Sequence, residues 1–347
     1  MDAIIHPGMH KTGTSSIQAT LVKVRPEGLI VTDVASGNMS GVMALLFLDQ
    51  PREHHSLKSR GLSIEKVQDM RAARFERLDL QTRQGAEKGE RAIFTAEFIC
   101  NAPRNAVERL AQFYRERGYH PRVVAYVRAP VSYMQSAFQQ RLKGELNSFS
   151  QLHALWPNYM HRFQKLDDVF GRENVTLRFF HPAHLKDGDV CLDFFSEIGA
   201  SVTSEEVVRK NESLSLEASA LLFVQRNLGE GFVRGFDEAP AKNQAFIKAL
   251  SRIGHGKIRF QRSLVEKIYE QNRQDLDWME DRLGHAILDL PVDDAPDAIG
   301  CVEDLFRIAD QHRDALEDLL MAEIRKDGPL ERDRLIRNLE LLRKLHY

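Results

Sequence analysis

Residues 3–24 read AIIHPGMHKTGTSSIQATLVKV. The apolar run Ala3–Ile5 passes through His6 and is closed by Pro7-Gly8, which predicts a short buried strand. From Thr14 onward Ile17, Leu21 and Val24 recur at helical spacing, and Pro26 ends the pattern. Between strand and helix lies HKTGTSS, His10 to Ser16. A helix N-terminus offers free backbone N–H groups and the positive end of the helix dipole, so this joint is a candidate anion site. His10 opens the loop. Gly13 lets the backbone curl close to a ligand. Lys11 adds a full charge, and Thr12, Thr14, Ser15 and Ser16 add hydroxyl donors. The pattern G-x-x-x-x-G-K-[ST] is absent, because the lysine here precedes the glycine by two residues.

Outward from this joint, strand and helix patterns alternate. Leu29–Thr32 predicts a second strand. A helical stretch follows from Ser63, with Ile64, Val67, Met70 and Phe75 on one face, broken at Gly85 to Gly89. Arg91–Thr95 predicts a third strand, Arg104–Arg117 a helix ended by Gly118, and Arg122–Val127 a fourth strand. Pro130 starts another helix. Leu152–Phe170 reads as helical up to Gly171, and Val175–Phe180 as a fifth strand. Residues 38–60 carry no pattern. This alternation predicts an α/β fold with a central, mostly parallel sheet flanked by helices. After about residue 205 only helical patterns remain. Val302, Leu305, Phe306, Ala309, Leu316, Leu319, Leu320 and Ile324 form an amphipathic stripe, Gly328-Pro329 breaks it, and Leu335–Leu345 form another. Such a helical hairpin packs back on its own domain or forms a homodimer.

Composition narrows the function classes. The 347 residues are 43% hydrophobic and 28% charged, with net charge −2, so bulk electrostatics does not favour a nucleic-acid partner. Cys100, Cys191 and Cys301 show no ligand spacing and suggest reduced thiols in a cytoplasmic protein. No run approaches the ~20 apolar residues of a membrane span, and Ala3–Ile5 is too short for the apolar core of a signal peptide. Eight basic residues between Arg104 and Lys143 face only Glu108 and Glu116. They read as solvated helix faces or as a field around an anion site. His6 and His10 sit four apart, but a strand and a loop do not put them on one face, so no metal site is read.

The displaced lysine of K-T-G-T-S resembles the loop of the PAPS-dependent sulfotransferases, in which it grips the 5′-phosphate side of 3′-phosphoadenosine 5′-phosphosulfate (PAPS). A second stretch, RVVAYVRAPVSYMQSAF, supports that resemblance. Arg128 stands at the carboxyl end of a strand, where open α/β sheets bind ligands. Ser132 shares its helix face at i, i+4, and Ser136 lies eight residues on. The family holds the 3′-phosphate with an Arg and a Ser at the Arg128–Ser136 spacing. Ala129 departs from the polar residue usual after that Arg. VVRKNESLS, with Arg209, Lys210 and Asn211, is similar to the later loop that closes over the 3′-phosphate. The resemblance runs discontinuously from residue 4 to about 216. It implies a three-layer P-loop-type α/β domain, placed here over residues 1–285, and the helical stripes add a C-terminal extension, 286–347, packed on it.

The implied reaction moves a sulfuryl group from PAPS, as co-substrate and without a metal, to an acceptor hydroxyl of a glycan, glycolipid or small alcohol. Lys11 would stabilise the charge that grows on the leaving phosphate. A base must take the hydroxyl proton. The third strand ends AIFTAEFI, and a carboxylate after that strand serves as base in similar carbohydrate sulfotransferases, which points to Glu97. His54 and His55 are the other candidates. Two rival classes stay open: a nucleotide-dependent small-molecule kinase with Glu97 on Mg²⁺, and a non-catalytic adenine-nucleotide-binding module.

Overall fold

The structure, a computed structural model, describes residues 1–9, 11–31, 37–58, 60–144, 149–210, 213–229, 239–291, 295, 297–325, 336, 339 and 341–344. In chain order its elements are β1 (Asp2–His6), α1 (Thr14–Val24), β2 (Leu29–Val31), α2 (Ser40–Phe47), the single turn α3 (His55–Lys58), α4 (Ile64–Glu87), β3 (Arg91–Thr95), α5 (Arg104–Arg115), β4 (His120–Val127), α6 (Pro130–Gly144), α7 (Tyr159–Phe170), β5 (Val175–Phe179), α8 (Val190–Glu197), α9 (Leu216–Leu228), α10 (Ala239–Leu250), α11 (Arg262–Gln271), α12 (Arg273–Leu283), α13 (Val302–Gln311) and α14 (Arg313–Arg325).

The five strands form one parallel sheet in the order β2-β3-β1-β4-β5. Strands of a parallel sheet covered on both faces read as unbroken apolar runs. Ala3 to Ile5, Ala92 to Phe94 and Val123 to Val127 are all buried. Successive side chains go to opposite faces. Ile4, Ile93 and Val124 meet Ile17 and Leu21 of α1 and Phe194 and Phe195 of α8. On the other face Phe94 meets Phe47 of α2 and Tyr114 of α5, edge to face. The chain leaves β1 toward β2 at one edge of the sheet and leaves β4 toward β5 at the other. A crevice at the carboxyl ends of two such neighbours is where open α/β sheets bind ligands.

Several elements differ from the sequence reading. Residues 38–60 contain α2, whose residues Val42 to Phe47 are all buried, so no polar face marks its period. α4 runs through Gly85, because a Cβ there would lie 1.6 Å from Ile30 Cδ1 of β2. This glycine permits close helix–sheet approach and does not end the helix. The expected helix over 152–170 splits into a 3₁₀ turn, Phe149–Leu155, and α7. Asn158, at φ 52, stands before α7. Beyond residue 205 the described residues include a parallel bridge, Phe260 to Ile299, where only helical patterns were expected.

By their internal contacts Met1–Phe138, Ser150–Glu212 and Arg262–Asp293 form one unit, and Gln139–Phe149, Ser213–Gln261 and Asp294–Tyr347 a second. The sequence reading placed a single boundary at residue 285. The segment 262–293 belongs with the sheet because its side chains tie into that unit. Asp275 accepts from the amides of Tyr159 and Met160 and from Trp156 Nε1, and Arg282 pairs with Asp167 at 2.8 Å. In the second unit Phe223 of α9 meets Phe306 of α13 with ring centroids 5.8 Å apart, and Arg226 is buried with Nε on the carbonyl of Leu142. The predicted stripe is buried only in its first half, at Leu305 and Ala309. Leu316 and Leu320 of α14 are exposed. Gly328-Pro329 and, within the second stripe, residues 335, 337, 338, 340 and 345 lie outside the described residues.

Candidate functional site

β1 ends at His6, and the loop to α1 opens the carboxyl edge of the sheet. Lys11 (φ 68) and Gly13 (φ 80) both hold left-handed backbone. A Cβ on Gly13 would lie 2.5 Å from Val190 Cγ1, and one on Gly8 would lie 2.4 Å from Thr14 Oγ1. The loop is therefore drawn tight against α8 and against its own helix. The amides of Thr14 and Ser15 open α1 and lack intrahelical acceptors by geometry, and no side chain caps this end. Thr12 is fully buried, and its hydroxyl donates to the carbonyl of Met9 at 2.7 Å. It braces the loop, where the sequence reading gave it a ligand contact. Thr14 Oγ1 is buried with no partner among the described residues, which costs about 1–3 kcal/mol unless something meets it. Ser15 is half-buried. Ser16 Oγ accepts from the amide of Lys210 at 3.1 Å, which brings the second basic segment to the start of α1. The Arg209 guanidinium pairs with Asp189 at 2.8 Å, beside the N-terminus of α8. His10 and Asn211 lie outside the described residues.

Arg128 follows β4, the neighbour of β1. Its Nη1 donates to the carbonyl of Lys11 at 2.9 Å, and its Nε reaches Ser132 Oγ at 3.3 Å. The guanidinium lies 5.8 Å from the ring centroid of Phe180, and the Tyr159 hydroxyl holds the Arg128 carbonyl at 2.6 Å. Burial lowers its pKa from the usual arginine value, but an arginine stays charged at any working pH. Ser132, one turn on, is the hydroxyl this arginine reaches. Ser136 sits a further turn along α6 and is half-buried. Four other arginines of the basic run pair with carboxylates of the fold: Arg104 with Glu108 and Asp168, Arg109 with Asp49, Arg117 with Asp79, and Arg122 with Asp2.

Glu97 opens the 3₁₀ turn Glu97–Asn101 directly after β3, the other neighbour of β1. The turn is pinned from two sides. Ser40 Oγ accepts from the amide of Phe98 at 3.2 Å, and Lys165 Nζ donates to the carbonyls of Cys100 and Ala102 at 2.8 and 2.6 Å. His54 packs edge-on to Phe98, centroids 4.4 Å apart, and is only 8% exposed. Glu97 is half-buried at the start of this turn, and His54, from a separate segment, is buried against its Phe98. The His55 side chain lies outside the described residues. The Cys100 thiol is pushed up to about 11 by burial, so it is no nucleophile at neutral pH.

Beneath the loop lies a polar layer that the sequence reading assigned no role. His6 Nδ1 shares a 2.9 Å hydrogen bond with Thr95 Oγ1, which also accepts from Gln18 Nε2 at 3.2 Å. Burial lowers the His6 pKa to about 4, against the opposing pull of the Glu97 carboxylate. The imidazole is therefore neutral, and its Nε2 is buried with no partner among the described residues. A histidine ending an apolar strand was the signal for this layer.

The carboxyl edge of β3, β1 and β4 therefore carries Glu97, the Lys11 loop and Arg128 side by side. Chemically it offers a cationic, amide-lined place for an anion and a carboxylate able to take a proton. Among the described residues no group of three or more His, Cys, Asp or Glu is arranged to hold a metal ion, and no helix is long and apolar enough to cross a membrane. No protein-family model, curated protein or solved structure matches this chain.

Proposed function

We propose that this chain is a sulfotransferase that moves a sulfuryl group from PAPS to an acceptor hydroxyl of a glycan, glycolipid or small alcohol. One observation carries the reading: Arg128 Nη1 donates to the carbonyl of Lys11. That bond joins two anion-binding elements across the β1/β4 crevice. A nucleotide phosphorylated on both its 5′ and 3′ oxygens needs two such elements, whereas AMP needs one. Cramped glycines at 8 and 13 and the unpartnered Thr14 hydroxyl fit a phosphate held close to backbone. A strand, a loop and a helix at the central strand also support a P-loop-type assignment. The link from Ser16 to Lys210 supports a share for the 209–210 segment in the same site.

In this reading the acceptor oxygen bonds to sulfur and the bond from sulfur to the bridging phosphate oxygen breaks, leaving its electron pair on the phosphate. Lys11 and the amides opening α1 stabilise that charge. The hydroxyl proton passes to the Glu97 carboxylate. Arg128 holds the distant 3′-phosphate and takes no part in bond making.

Calorimetry with 3′-phosphoadenosine 5′-phosphate and with AMP, each in EDTA, tests the reading. The doubly phosphorylated nucleotide is expected to bind at least tenfold tighter, about 1.4 kcal/mol. Equal affinity for the two, or binding only with Mg²⁺, would overturn it.

A further inference from the structure

The start of α6 is a second helix N-terminus at this edge, and it is filled from within the protein. Asp289, in the segment after α12, accepts from the amides of Val131 at 2.9 Å and Ser132 at 2.8 Å. The Tyr269 hydroxyl donates to the same carboxylate at 2.6 Å. Tyr159, which anchors the Arg128 carbonyl, is buried, and burial together with Asp289 and its neighbours raises its pKa well above the phenol range. Asp289 also acts on Arg128: burial lowers the arginine's pKa, and the Asp289 carboxylate is the foremost group opposing that shift. Geometry links the two groups through one residue: Arg128 Nε reaches Ser132 Oγ at 3.3 Å, and the Ser132 amide donates to Asp289, so the carboxylate stands beside the guanidinium assigned to the 3′-phosphate.

We propose that Asp289 is a built-in limit on how tightly the Arg128 site holds a phosphate. The proposal rests on the sulfotransferase reading above. With the Val131 and Ser132 amides already taken, a phosphate at Arg128 is held by the guanidinium and nearby hydroxyls without the helix amides. Its charge meets a carboxylate that shares the same arginine's field. The consequence is a 3′-phosphate contact strong enough to select the nucleotide and weak enough to release the product. Binding substrate and product more tightly at this remote group would not speed the chemical step. A sequence scan does not find this residue, because Asp289 lies 161 positions from Arg128 in an acidic stretch.

The test is calorimetry with 3′-phosphoadenosine 5′-phosphate and with AMP on the unmodified protein, Asp289→Asn, Asp289→Ser and Tyr269→Phe. Both neutral variants keep an oxygen for the helix amides. They are expected to bind the doubly phosphorylated nucleotide about fivefold tighter, the effect of one charge removed near a partly buried site, with AMP affinity unchanged. The gain should shrink as salt rises. Tyr269→Phe keeps the carboxylate charge and should show no gain. Weaker or unchanged binding in the neutral variants would mean that Asp289 merely orients Arg128 or caps α6, and would overturn the proposal. So would failure of both variants to fold, or an equal gain in Tyr269→Phe. If the unmodified protein does not distinguish the two nucleotides, the sulfotransferase reading falls, and this inference with it. If it does and the neutral variants leave the ratio unchanged, only this inference falls.

Discussion

Lys11 and Arg128 touch through one hydrogen bond yet serve different steps in the proposed reaction. Lys11 faces charge that exists fully only as the sulfuryl group departs, and only such interactions raise the chemical rate. Lys11→Ala is expected to lower kcat about 100-fold or more while changing nucleotide affinity less than tenfold. Arg128→Ala should do the reverse, weakening 3′-phosphoadenosine 5′-phosphate by about 1.5–3 kcal/mol. Steady-state rates and product-nucleotide titrations on both variants separate the roles, and normal binding by Arg128→Ala removes its assignment. Glu97→Gln keeps the shape of the pinned turn and removes the base, so transfer should vanish with nucleotide binding intact. Residual transfer in Glu97→Gln with loss in His54→Ala would move the base to the histidine. His6 gives a prediction independent of function. Its folded pKa, about 4, lies below the 6.5 of a free imidazole. Between those values the unfolded chain binds a proton that the folded chain refuses, so stability falls as pH drops through that window, and above 6.5 the group contributes nothing. The loss amounts to ~3 kcal/mol by pH 4. His6→Asn should flatten the dependence in urea unfolding between pH 6.5 and 4; an unchanged slope would show that His6 is not held neutral. The loop was legible because a lysine, a glycine and hydroxyls crowd one joint. Their division of labour was not, because the turn of Thr12 inward to Met9 depends on packing around the loop.

Several elements were legible from a period or a punctuating residue. β1, α1 and β3 stand within a residue of their expected limits, and Gly118 and Gly171 close their helices at positive φ. α2 was hidden by its own burial, and Gly85 misled because a glycine that admits a neighbour looks the same in sequence as one that ends a helix. The joint between loop and α1 makes the same distinction measurable at Gly13, where both reasons act. Its φ of 80 is strained for any L side chain, and Val190 of α8 occupies the space of a Cβ. Gly13→Ala is expected to cost about 2–4 kcal/mol, of which 1–2 is backbone strain and the rest the clash. Val190→Ala should return the clash part in the double variant and leave the strain. Thermal or urea unfolding of the four proteins gives the coupling. Strict additivity would mean that Val190 does not set the space beside Gly13.

At the scale of the whole molecule the sequence yields the α/β alternation but neither the strand order nor the grouping of 262–293 with the sheet. Strand order depends on which crossovers pass over which faces. The grouping depends on single long-range carboxylates such as Asp275, which no periodicity reports. Once the order is known, the residues of the proposed site fall on one edge. His6 pairs with Thr95 across β1 and β3, and β1 lies beside β4, so the ends of these strands deliver the Lys11 loop, the Glu97 turn and Arg128 to one line. The opposite edge carries Gly28, Gly89 and Gly118 at positive φ in the connections that enter β2, β3 and β4. Nucleotide binding should therefore mark the two edges differently in hydrogen exchange. Protection on adding 3′-phosphoadenosine 5′-phosphate is expected in peptides covering 7–16, 96–101, 128–136 and 207–210, with none in those covering 26–28, 88–90 and 117–120. At a free concentration of one hundred times Kd the bound protein should gain about 2.7 kcal/mol against unfolding. That gain alone would raise protection everywhere by the global route, so the comparison belongs at short exchange times, where local opening dominates. Protection confined to the entering edge would place the ligand away from the Lys11 loop and would end the case for Lys11, Arg128 and Glu97 together.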